Sequence, residues 1–200
     1  MNASLVDSLK GSSATPASYR IALPPGWRQF TADAAGESAL LNLATNRFRR
    51  AGRPDVEAVV RRRVTQYMEG LRRSRAVAVY LPGQLDDETP VPMSVVLFRY
   101  TADPGSTLET VAAHRSRGSF GVADLPVGAV MRWVEQRQGV EGDKEVGSRT
   151  FHYLIPAPGD TRRAMLMSTA VLHLTDEPEA DYVSTLELLS DAIAGTFRWT

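Results

Sequence analysis

Residues 129–174 read AVMRWVEQRQGVEGDKEVGSRTFHYLIPAPGDTRRAMLMSTAVLHL. Three apolar runs stand out, at 129–138, 148–157 and 163–174, separated by GVEGDKEVG (139–147) and PGDTR (158–162). Those breaks have the length and polarity of hairpin connections, so the stretch predicts three neighbouring antiparallel strands. Two further strand-like runs precede it, AVAVYLP (76–82) and the β-branched VPMSVVLFRY (91–100), joined by the acidic loop GQLDDETP (83–90).

The rest of the chain has a different period. In ESALLNLATNRFRR (37–50), Leu40, Leu41, Leu43, Ala44 and Phe48 recur at near-helical spacing. Gly52 and Pro54 break the chain, and Pro54 suits the first turn of a new helix, with Asp55 and Glu57 near its positive end. DVEAVVRRRVTQYMEGLRRSR (55–75) carries a stripe of Val56, Val59, Val60, Val64, Tyr67, Met68 and Leu71. STLETVAAHRS (106–116) fits a short helix with Leu108, Val111 and Ala112 inward. A closing helix begins near Asp176, Glu177 and Pro178, its inward positions being Tyr182, Leu186, Leu189, Ile193 and Phe197. Helices and strands in this arrangement predict an α+β sandwich, a twisted, mostly antiparallel sheet with helices on its faces. One domain over residues 17–200 is expected, behind a serine- and alanine-rich flexible arm at 1–16.

Near the N-terminus SYRIALPPGW (18–27) alternates until Pro24 and Pro25, which donate no backbone hydrogen bond. It predicts a first strand at 19–23, with Trp27 just past its end as a hydrophobic plug. The ending LPPGW (23–27), helices next, a run of antiparallel strands and the closing phrase IAGTFRW (193–199) together resemble the PsbP-like sandwich. That fold is shared by an extrinsic photosystem subunit, a nuclear-import factor that binds a small GTPase, and actinobacterial proteins. The resemblance implies a binding or assembly module and carries over no catalytic residue.

The chain is formally neutral, with 23 basic and 23 acidic residues, but unevenly so. Ten arginines between 47 and 75 face only Asp55, Glu57 and Glu69, while residues 76–200 hold ten basic and seventeen acidic residues. With no cysteine, disulfides, thiolate metal sites and cysteine catalysis are excluded. A basic leader with an apolar run is missing, and no apolar run reaches the roughly 18 residues of a membrane span, so no membrane is expected and a cytoplasmic location is.

No motif names a reaction. His114, His152 and His173 have no HxH, HExxH or HxxxH spacing, and no metal is expected, although His152 and His173 lie in predicted strands that could bring them near each other in an antiparallel sheet. There is no GxSxG elbow, and serines such as Ser119 and Ser168 have no local activating base. Isolated glycines form no phosphate cradle, so no cofactor is expected and no catalytic residue is assigned. Two function classes remain. The first is a non-enzymatic interaction or assembly module. Its contact surface is the basic helical face of Arg61, Arg62, Arg72 and Arg73, offered to a protein partner with an acidic surface or to a second copy. Nucleic acid is disfavoured, because stacking aromatics are sparse and the charge balance is neutral. The second is a small-molecule-binding protein or enzyme with a pocket between the sheet and the loop at 114–126, lined by Arg115, Arg117, Phe120, His152 and His173.

Overall fold

The computed structural model describes residues 18–83, 91–141, 144–174 and 181–200. The arm read at 1–16, most of the acidic loop at 83–90 and the opening of the last helix near 176–178 lie outside the described residues.

Seven strands form one open antiparallel sheet: β2 (Trp27–Thr31), β3 (Ala76–Pro82), β4 (Met93–Thr101), β5 (Gly121–Leu125), β6 (Gly128–Glu141), β7 (Lys144–Pro156) and β8 (Arg163–Leu174), in the order β2-β3-β4-β8-β7-β6-β5. The expected α+β class and the neighbouring strands at 129–174 are what the structure shows. Helices α1 (Ala34–Arg50), α2 (Pro54–Arg73), α3 (Leu108–Arg115) and α4 (Asp181–Gly195) flank the sheet.

Strand period decides which helix goes where. Register pairs His152 with Ser168 and Leu154 with Leu166, so the even-numbered residues of β7 and β8 share one face. That face carries Leu154, Ala164 and Leu166 against Leu108, Val111 and Ala112 of α3, and Val79 and Val96 against Leu40, Met68 and Leu71 of α1 and α2. The odd-numbered residues Phe151, Tyr153, Ile155, Met165 and Met167 point the other way, onto Val183, Leu186, Ile193 and Ala194 of α4. A polar network sets α4's rotation. Tyr153 donates to Asp191 Oδ1 (2.5 Å) and accepts from Ser190 Oγ (3.0 Å), and Arg132 reaches Glu187 (2.6 Å) and Asp191 (3.0 Å). Locking Ser190 and Asp191 inward turns Val183 into the core and leaves Tyr182, expected inward, exposed.

Other expectations shift for physical reasons. Residues 19–23 do not enter the main sheet: only β1 (Tyr19–Arg20) is strand, and it pairs with β9 (Arg198–Trp199) in a separate ribbon under α4's end. Trp27 does not follow a strand but opens β2, half-buried against the α4-side core. The break read at 139–147 is mostly ladder, since Val140 pairs with Glu145 and Glu141 with Lys144. The loop at 114–126 holds the last turn of α3 and a fifth strand of the sheet's free end, β5, too short and glycine-flanked to show a period. Along α2 only Met68 and Leu71 are fully buried, because the helical hairpin meets the sheet near one end.

α1 starts at Asp33, which accepts from the Gly36 amide (2.8 Å) and from Thr31 Oγ1 (2.7 Å), a capping arrangement that also holds its carboxyl below the usual range. A methyl group on Gly36 would land on the Thr31 carbonyl. Gly36→Ala is therefore expected to lose about 1–3 kcal/mol. Gly70→Ala, mid-helix in open space, is expected to gain about 0.5–1 kcal/mol. Urea denaturation of both variants checks the pair, and equal effects would contradict the close approach.

Candidate functional site

α3 covers only part of the even-numbered face, and beside it lie two adjoining cavities. The larger, about 700 Å³, is lined by Tyr100 and Asp103, by Thr110 and His114 of α3, and by Arg115, Arg117 and Glu135. The smaller, about 200 Å³, lies between Arg115, Ser116 and Arg117 and the strand segment Trp133–Gln136. Arg115, Arg117 and Glu135 line both and form the partition between them.

Helix termination places the two arginines. α3 is capped at its start by Thr107, which accepts from the Thr110 amide. At its end, the Gly118 amide reaches the Ala113 carbonyl (2.7 Å) and the Arg117 amide the His114 carbonyl (3.4 Å), the two bonds of a Schellman cap. The residue that must turn left-handed there is Arg117, with φ 55°, where glycine is usual. Its neighbour Arg115 lays its guanidinium over the Tyr100 ring, 5.1 Å from the centroid. Neither arginine forms an ion pair among the described residues.

Behind the partition lies a sheltered polar cluster. Trp133 and His152 stack with centroids 4.9 Å apart. His152 Nδ1 is 2.9 Å from Ser168 Oγ, and its Nε2 is 3.5 Å from Glu135 Oε2. The second contact lies outside hydrogen-bond geometry, so Nε2, shielded from water, has no hydrogen-bond partner. The surroundings favour the tautomer protonated at Nε2, facing the carboxylate, with Ser168 donating to Nδ1. Arg137 clamps Glu135 at 2.9 Å and holds its carboxyl below the usual range. Burial pushes His152 down to about 4, against the opposing pull of Glu135. The ring is therefore neutral near pH 7.

Serine, histidine and glutamate in this order have the residue types of a nucleophilic triad. Ser168, however, sits mid-strand between Val96 and His152, and ladder pairing on both sides occupies the backbone around it. No free amide is left beside Ser168 to receive an oxyanion, and Ser168 lines neither of the two cavities. What this geometry does is fix a flat aromatic floor beneath the cleft.

The structure brings together some of the expected residues and separates others. Arg115 and Arg117 line the cleft, and His152 lies just behind Glu135. Phe120 is half-buried in the core under α3. His173 points to the opposite face, buried against Gly147 and bonded to the Leu174 carbonyl (2.7 Å), so strand pairing separates the two histidines. Five residues between His173 and Ser168, the partner of His152, is an odd offset, and this sends the rings to opposite faces. Of the basic helical face, Arg61 is held by Glu57 (3.1 Å) and Arg72 by Glu37 of α1 (2.7 Å). Arg62 and Arg73 form no ion pair among the described residues. Glu135, Tyr100 and Trp133 were not singled out from sequence; their only mark there is one charge and two aromatics in strand runs.

Among the described residues no three His, Asp or Glu side chains group as metal ligands would, and no helix is long and apolar enough to cross a membrane. No family model matches the chain, and no curated protein sequence matches it. Among solved structures, LpqN, involved in cell envelope biogenesis of Mycobacterium tuberculosis, is similar over 94% of this chain and 87% of that one, at 13% identity and a TM-score of 0.46. That likeness carries no argument about what this chain binds.

The buried imidazole makes stability depend on pH. The unfolded chain takes a proton at His152 near 6.5, the folded chain only near 4. The unfolded state thus binds more protons between those values, and stability falls as pH drops through that window, by up to roughly 3 kcal/mol from this group. His152→Gln is expected to shrink the difference in urea midpoint between about pH 7 and about pH 4.5. Parallel profiles for the two proteins would contradict the buried neutral ring.

Proposed function

We propose that the protein is a non-enzymatic binding module whose recognition surface is the cleft between α3 and β6. The observation that carries this reading is the pair Arg115 and Arg117, which line both cavities and form no ion pair among the described residues. Two such guanidiniums beside a stacked Trp133 floor suit a ligand that presents carboxylates or phosphates on an otherwise apolar body. Keeping an arginine at the left-handed position after α3 costs about 1–2 kcal/mol relative to glycine, strain of a kind that gathers at functional sites. The order of elements, which resembles the PsbP-like sandwich, also supports a binding or assembly role over a catalytic one.

The helical face keeps a second reading in play. Arg62 and Arg73 are exposed, share one side of α2 and form no ion pair among the described residues, which suits an acidic protein partner. The two surfaces separate by mutation. In titrations against acidic peptides and small dicarboxylates, Arg115→Glu with Arg117→Glu is expected to abolish binding, while Arg62→Glu with Arg73→Glu leaves it intact. The reverse pattern would move the site to α2. Arg117→Gly is expected to raise Tm by about 2–4 °C and still weaken binding, because relief of backbone strain comes with loss of the guanidinium. A Tm that does not rise would remove the strain argument.

A further inference from the structure

β5 is much shorter than the strand it accompanies. It pairs only with Gly128–Arg132, the last partners being Gly121 and Arg132. From residue 133 to 141, β6 continues along β7 with no strand on its outer side among the described residues. Alternate amides and carbonyls of this segment therefore face outward unpaired, a ready template for another strand. The smaller cavity sits on this edge, between Trp133–Gln136 and the turn that carries Arg115 and Arg117.

Chemistry along the edge differs on its two sides. On the α3 side are Trp133, Glu135 with its partner Arg137, and the overhanging Arg115 and Arg117. Glu135 is neutralised by Arg137, so that side is net positive. On the opposite side the exposed positions are Val134, Gln136 and Gln138, without charge. A strand laid along this edge would send successive side chains alternately to the two sides.

We propose that the partner is an extended peptide that adds to β6 at residues 133–139, alternating acidic residues toward Arg115 and Arg117 with aliphatic ones toward Val134. This rests on the cleft reading above and specifies its ligand. Main-chain hydrogen bonds supply affinity, and the two arginines supply preference for acidic sequence. The short β5 and the turn at 116–118 are then the features that leave the place open.

The probe is the fluorescein-labelled, N-acetylated peptide amide Thr-Glu-Val-Glu-Val-Glu-Val-Glu-Thr, titrated into the full chain by anisotropy. Exchange of the β6 amides is followed in parallel by NMR. Binding is expected with slowed exchange at alternate residues of 133–139. Replacing the glutamates by lysine, N-methylating alternate peptide bonds, or changing Arg115→Ala with Arg117→Ala should each weaken it by about tenfold or more. If the N-methylated peptide binds equally well and β6 exchange is unchanged, strand addition fails while the cleft reading survives. If the peptide does not bind at all, the proposal is overturned, and the small dicarboxylates judge the cleft separately. Protection of β6 amides already present in the free chain would overturn it too. Concentration-independent protection would identify this chain's own residues as the occupant, and concentration-dependent protection a second copy.

Discussion

The strict two-sidedness of β7 and β8 is the constraint on which the rest of the molecule depends. Both strands run through the middle of the sheet, and both send large apolar side chains to each face. Each face therefore has to be covered, and the two coverings differ. One side takes α4 and the N-terminal segment, which together close over Phe151, Tyr153, Ile155, Met165 and Met167. The other side is shared by the α1–α2 hairpin over β3 and β4 and by α3 over β8, β7 and β6. Two separate coverings leave ground between and beside them, and the cavities lie there.

Buried polarity serves different ends on the two faces. Against α4, Tyr153, Ser190, Asp191, Glu187 and Arg132 satisfy one another, and burial opposed by these carboxylates still leaves Arg132 above its usual range. A network of that kind specifies one rotation of the helix more than it adds raw stability. Under the cleft, His152 is held by stacking and one hydrogen bond but keeps Nε2 without a partner. Such an incompletely satisfied group carries an energetic cost that the surrounding packing has to offset.

The cleft's chemistry is built from ordinary termination events. α3 ends in a Schellman cap whose left-handed residue is an arginine, and β5 stops beside Arg132 while β6 continues. Neither event is large, yet together they set two guanidiniums, without an ion pair among the described residues, beside the part of β6 that β5 does not accompany. Charge of the same sign on α2 is in part spent inside the hairpin, where Glu57 and Glu37 bind Arg61 and Arg72. Exposed pairs of that sort stabilise by at most about 1 kcal/mol each, but they do occupy the arginines.

Local period was enough to find the elements that bury the most. The strands at 76–82, 91–100, 129–138, 148–157 and 163–174 and the helices at 37–50 and 55–75 are legible because period and breakers act over a few residues. The proline and acidic start of α2 were legible for the same reason. Arg115 and Arg117 could be singled out because they sit in a polar, glycine-containing segment next to predicted strands. What no window of sequence contains is cross-strand register, which puts His152 and His173 on opposite faces and brings Ser168 and Glu135 to the same ring. Nor does it contain the rotation of α4, set by partners more than thirty residues away, or how far β5 accompanies β6. Side-chain period is local chemistry; register and coverage arise only when distant segments compete for the same two faces, and that competition is decided in the folded molecule.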